Sequence, residues 1–335
     1  MVVKKYILFL CLLGVNCYCF TSCNGQPAFG TDLLQKIKEL PLPGVKGRID
    51  HMDVNLKDQV VYVAALGNNT LEVADLNSGK IIRSLTGLDE PQGVGYISQQ
   101  QEIFVANGGN GDGYFYDAHR FTKTGSIHLG SDADDVRYDS VENRVYVGYG
   151  QGGMAIIDAK THKLISNIKL PGHPESFQVD KKLNRLYVNI PDAKMVGVID
   201  LKTASFVARW TKSNLTANFP MAVDPQLHRV FVGYRHPARL VVLDGRTGKD
   251  ISTMAMAGDA DDLYYNSKTS EIYASGGDGY LSVYQQQGQG TYKQVANMLT
   301  RKGARTSLFI PQQQLLVVAA PAGSSKPASL IVYKE

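Results

Sequence analysis

The tetrapeptide Asp-Ala-Asp-Asp occurs twice in this chain, at residues 132–135 and 259–262. Asp50 and Glu175 add two further carboxyl groups in similar polar segments. Brought together by folding, so many carboxylates cannot all ionise cheaply. Either some of their pKa values rise, or a cation or basic ligand sits among them. A hard, calcium-like divalent cation suits an all-oxygen ligand set, and Asp134, Asp135, Asp261 and Asp262 are the candidate metal ligands. No segment has the spacing of an EF-hand loop or a His-Glu-x-x-His helix. The metal expectation therefore rests on the two acidic segments meeting in space. Otherwise the same aspartates bond loop amides and stay solvated.

Three histidines, His51, His173 and His236, lie in comparable segments and would titrate near neutral pH, as bases or as hydrogen-bonding groups. Tyr234-Arg235-His236-Pro237 stands where equivalent segments carry small residues or Gly. Arg235 has the planar fork to pair with a ligand carboxylate or phosphate, or with the acidic segments of the chain itself. The candidate ligand-binding set is thus Asp50, His51, His173, Glu175, Tyr234, Arg235 and His236. There is no Cys-x-x-Cys-His for attaching haem and no Gly-x-Ser-x-Gly nucleophile elbow. Trp210 is the only tryptophan, which argues against quinoprotein dehydrogenases, whose repeats share tryptophans.

What positions these residues is a repeat. A short apolar strand recurs around Tyr62, Phe104, Tyr146, Tyr187, Phe231, Tyr273 and Val317, at spacings of 42, 42, 41, 44, 42 and 44. Four strand-like segments fill each period, which predicts an all-β, seven-bladed β-propeller. Asp-led turns separate the strands: residues 75–79, 158–161, 200–203 and 244–248 read as turn formers, because the Asp side chain bonds nearby backbone amides. Gln99–Gln101, Gln285–Gln287 and Gln312–Gln314 read as solvated turns on one face. The linking loops between blades gather on the other. Steps of roughly 51° per blade place residues 132–135 and 259–262 nearly opposite each other across the channel mouth.

The seventh unit ends at residues 329–333 without a fourth strand. Residues 35–44 read like the outer strand of the third unit, residues 164–172. Residues 34–42 are therefore expected to complete the last blade and close the ring, removing exposed sheet edges.

Leu186-Tyr187-Val188-Asn189, followed by Met195 to Asp200, resembles the YVTN-type (YncE-like) propeller repeat, a Tyr-Val-x-Asn strand followed by an apolar strand ending in Asp. Residues 145–158 and 230–244 repeat the pattern. The likeness covers residues 32–335 and implies the fold. It implies little about activity, because similar propellers serve as binding modules, surface proteins, lactone-cleaving enzymes and redox subunits.

At the N-terminus, Lys4-Lys5 precede an apolar run, Tyr6 to Val15, as in an export signal. Phe20-Thr21-Ser22-Cys23 resembles a lipobox, so residues 1–22 are read as a lipoprotein-type signal, Cys23 as the lipidated residue and 23–31 as a tether. All four cysteines lie at or before Cys23, which excludes a disulfide scaffold in the rest of the chain. With Lys4 and Lys5 removed, the formal charge falls from +4 to +2 (4 minus 2), too small for a dedicated nucleic-acid binder. The expected protein is exported and lipid-anchored in the cell envelope. It would be a binding module for a small molecule, glycan or envelope protein; the alternative is a metal-dependent lactonase- or esterase-like hydrolase working at the channel mouth.

Overall fold

A computed structural model of the chain describes residues 34–335, and the readings made on residues 1–33, including Cys23, lie outside them. The described chain folds into seven separate four-stranded antiparallel sheets. Blade one comprises Met52–Asn55, Val60–Ala65, Thr70–Asp75 and Lys80–Leu85, in order from the inner strand outward. Blades two to six repeat this order, with inner strands Pro91–Ile97, Ala133–Asp139, Phe177–Asp180, Thr216–Asp224 and Ala260–Asn266. In blade seven Ser307–Ile310, Leu315–Ala320 and Ser329–Lys334 are joined at the outer edge by Gln35–Pro41, which pairs antiparallel with Ser329–Lys334. The ring closes as the sequence predicts.

Strand periodicity explains how the blades pack. Successive side chains point to opposite sheet faces, so each second strand serves two neighbours. In blade one, Val61 and Val63 pack against blade seven, while Val60 and Tyr62 pack against blade two. The same division gives seven apolar clusters, one for each junction between adjacent blades. The recurrent aromatic always faces the following blade, and none of Tyr62, Phe104, Tyr146, Tyr187, Phe231 and Tyr273 is more than 3% exposed. Truncating any one to Ala would cost about 3–5 kcal/mol. The repeat noticed in the sequence is thus the inter-blade contact itself.

Turn chemistry is as regular. Asp158 Oδ1 accepts hydrogen bonds from the amides of Lys160 and Thr161 at 3.0 and 2.7 Å, and Asp200 and Asp244 do the same in their blades. These aspartates are turn formers. Gln101 and Gln314 end the turns before their second strands in the left-handed region. Gln285–Gln287 differ from the expectation: they continue the long strand Tyr280–Gly288, whose hairpin with Thr291–Leu299 projects further than the outer hairpins of other blades.

Candidate functional site

Both acidic tetrapeptides are built by one local device. Asp132 and Asp259 take positive φ values of 44° and 55°, and their carbonyls accept the amides of Gly150 and Gly277. Immediately after them the pairing of inner and second strands shifts register, between Ala133 and Val136 in blade three and between Ala260 and Asp262 in blade six. A bulge of this kind bends the strand and re-aims its side chains. Here it brings Asp134, Asp135, Asp261 and Asp262 into the channel mouth, where each is less than 9% exposed. Blade two makes room: a Cβ added at Gly93 would lie 1.9 Å from the Asp134 carbonyl oxygen.

His51 ties the two segments together. Its Nδ1 lies 3.5 Å from Asp262, and its Nε2 lies 3.7 Å from Asp134 and 3.8 Å from Asp50. Burial alone would lower the His51 pKa, but the surrounding carboxylates, Asp262 foremost, push it well above the ordinary value. His173 hydrogen-bonds the Gly150 carbonyl through Nδ1 at 2.7 Å, and its Nε2 faces Asp134 at 3.8 Å. Burial opposes protonation here too. The facing Asp134 carboxylate and the Gly150 carbonyl outweigh it and raise His173 to about 9. Asp134 is driven up by burial but held below the ordinary range by His173 and His51.

Arginines balance the other carboxylates. Asp135 pairs with Arg137 on its own strand, Asp261 pairs with Arg235, and Asp262 accepts the Ser307 amide at 2.8 Å. Arg235 also donates Nε to the Ala260 carbonyl at 3.0 Å and stacks 3.6 Å over the Phe219 ring. Burial still raises Asp135 and Asp261 above the ordinary carboxylate range. Arg305 holds Asp259 at 2.7 Å. Among the described residues, no group of three or more His, Cys, Asp or Glu side chains is arranged to hold a metal ion. In blades three and six, the chain's own cations and amides stand beside the four proposed ligands.

Two acids are less well served. Burial, with the neighbouring Asp134 and Asp261 charges, raises Glu175 to about 8. Burial likewise raises Asp50, which is 1% exposed, to about 7. Neither Asp50 oxygen accepts a hydrogen bond, and nor do Asp134 Oδ1 and Asp261 Oδ2. Arg48 Nη2 stands 2.8 Å from Asp50 and 3.7 Å from Asp261, close enough to pair charges, although its N–H groups are not aimed at Asp50. With its side chain 44% exposed, Arg48 is the outermost cation of the cluster.

Of the seven candidate ligand-binding residues, five meet here: Asp50, His51, His173, Glu175 and Arg235. Tyr234 does not join them. It is 2% exposed and packs with Trp210 and Val198 in the apolar junction of blades four and five, because it alternates with Arg235 along the strand. His236 is exposed at the end of the same strand, paired through its backbone with Thr216.

The channel below the acidic layer contains a feature the sequence reading missed. A cavity of about 600 Å³ runs from His51 and Arg137 toward the opposite face, with Lys57, Ser98 and Ser140 at its lip. Asp53, Tyr96, Tyr138 and Tyr264 line its walls. One sign was available: Arg137 is a charged residue within an inner strand.

No protein-family model matches the chain, and none of the curated proteins matches it in sequence. Among solved structures, a chain of the "Crystal Structure of Mitotic Checkpoint Complex" superposes with a TM-score of 0.74 at 17% identity, covering 99% of both chains. A chain of "Kuenenia stuttgartiensis Hydrazine Synthase" gives a TM-score of 0.74 at 12% identity, covering 86% of this chain and 97% of that one. At such identities the likeness establishes the propeller fold alone.

Proposed function

We propose that this chain is an extracytoplasmic binding module of the YVTN type, which takes a positively charged group of its ligand into the acidic channel mouth. The observation that carries this reading is Asp50. It is a buried carboxylate with no hydrogen-bond donor on either oxygen, covered by a half-exposed Arg48. Leaving a buried acceptor unpaired costs about 1–3 kcal/mol, and more for a charged group. A ligand ammonium, a basic side chain of an envelope protein or a calcium-like cation would recover that cost by taking the place of the Arg48 guanidinium. The hydrolytic alternative needs the same carboxylates free to hold a catalytic ion, yet Arg137, Arg235 and the Ser307 amide already engage three of them.

Export and lipid anchoring at Cys23 are part of the proposal and rest on the Lys4-Lys5 segment, the apolar run after it and Thr21-Ser22-Cys23. The test of the whole reading is a thermal-shift screen with putrescine, calcium and a neutral sugar lactone. A positively charged probe should raise the melting temperature of the native chain and leave Asp50→Asn unmoved. Turnover of the lactone, or no shift with either charged probe, contradicts the binding reading.

A further inference from the structure

The cavity under the acidic layer has chemistry opposite to that of the mouth. Its charged lining consists of Arg137 and the His51 imidazole at the inner end, Lys57 at the lip and one carboxylate, Asp53. Asp53 is satisfied by the chain itself: its oxygens accept the amides of Val54 at 2.8 Å and Tyr96 at 2.6 Å. Arg137 is satisfied along one edge only. Its Nη1 donates to Asp135 and to the Val136 carbonyl, while Nε and Nη2 make no hydrogen bond within the described residues. The side chain is 31% exposed and lines both this cavity and a smaller one beside Gln178 and Lys181. A guanidinium with a free edge is a bidentate receptor for a carboxylate.

The remaining walls specify the rest of the ligand. Tyr96, Tyr138 and Tyr264 come from blades two, three and six, with Val54, Val94, Val136 and Leu308 between them. The hydroxyls of Tyr138 and Tyr264 are already donated, to Asn143 Oδ1 and the Ser307 carbonyl, each at 2.9 Å, so these residues offer mainly ring surface. A largely apolar volume of about 600 Å³ with a few convergent polar groups is the usual form of a small-molecule site.

We propose that this cavity is a second binding site, for a small aromatic carboxylate whose anionic end meets the free edge of Arg137 and whose ring lies among the three tyrosines. It opens on the face opposite the acidic mouth and would hold its ligand through the free edge of Arg137 and the three tyrosines rather than through Asp50 and Arg48, so the two sites are tested separately.

The experiment is calorimetric titration of the folded chain with 4-hydroxyphenylacetate, and with the alcohol and amine of the same ring skeleton. The carboxylate should bind saturably, the alcohol roughly tenfold more weakly, and the amine not at all. Arg137→Lys keeps the charge beside Asp135 but loses the fork, and should weaken binding by roughly tenfold or more. Two further variants guard against a folding defect at Arg137. Lys57→Glu, at an exposed position, should weaken binding severalfold, and Val54→Trp should block the cavity in protein that still melts cooperatively. Asp50→Asn should bind the carboxylate unchanged. The proposal is overturned by absence of saturable binding, by equal binding of the amine, by indifference to both Lys57→Glu and Val54→Trp, or by loss of binding in Asp50→Asn.

Discussion

His51 Nδ1 and the Asp262 carboxylate lie 3.5 Å apart, joining the loop that enters blade one to the inner strand of blade six across the channel mouth. Through its other nitrogen the same imidazole faces Asp134 of blade three. One side chain therefore sits between the two acidic segments that the sequence repeats, and it is the chain's own answer to their crowding. Replacing it by Asn leaves Asp50, Asp134 and Asp262 facing one another with no imidazolium between them. Removing one partner from a buried charge cluster costs about 3–5 kcal/mol. His51→Asn should lower the denaturation free energy by about that amount, measured by urea unfolding near neutral pH.

Stability should fall as pH rises from mildly acidic to mildly alkaline. The folded-state pKa values of Glu175 and Asp50 are raised by burial to about 8 and about 7. Each then contributes stability that is complete below its unfolded value and lost as pH climbs through the folded one. His173, raised to about 9 by the facing Asp134 carboxylate and the Gly150 carbonyl against its burial, acts in the same sense, with its contribution present below the ordinary imidazole pKa and lost through the folded one. Asp134, held low, contributes above the ordinary carboxylate pKa and loses that contribution only in acid. A melting series across this window should slope downward, and Glu175→Gln should flatten it. An unchanged slope in that variant would remove Glu175 from the account.

Gly93 sets how closely blade two approaches the Asp134 segment. A side chain there meets backbone rather than a flexible tip. Gly93→Ala should destabilise the fold by about 1–3 kcal/mol and weaken ligand binding at the mouth. Gly288→Ala is the control, because a Cβ there meets nothing within 4 Å. Equal melting temperatures for the two variants would contradict the close approach.

Ring closure depends on Gln35–Pro41. Leu40 is 1% exposed and packs with blades one and seven, while Glu39 accepts Arg301 Nη2 at 2.8 Å. Leu40→Ala should cost about 2–5 kcal/mol, and deletion of residues 34–43 should lower the melting temperature further by exposing the edge of Ser329–Lys334. A deletion that melts like the native chain would refute closure.

The fold was legible in the sequence because each blade repeats the same contact. Tyr62 and its equivalents recur because blades one to six each bury an aromatic against the next, and Asp158 and its equivalents recur because the outer hairpins of blades one to five use the same turn. The two acidic segments were legible as a pair for a similar reason, since one bulged loop was used twice. Partners were harder to see. Arg137, which pairs with Asp135, and Arg48, which covers Asp50, occupy no repeated position, and their directions are set by local register. Tyr234 lies away from the cluster for the same reason: it shares a strand with Arg235, but the pleat turns it into the core. The cavity is formed by side chains of inner strands from several blades, and no single segment contains its outline.

The central claim is that Arg48 holds the place of a ligand cation. Calorimetric titration of putrescine into the native chain and into Arg48→Met tests it most directly. If Arg48 must be displaced, its removal lifts a competition that lowers apparent affinity, and Arg48→Met should bind roughly tenfold more tightly while Asp50→Asn in the same background abolishes binding. Weaker binding by Arg48→Met, or none by either protein, would contradict the account.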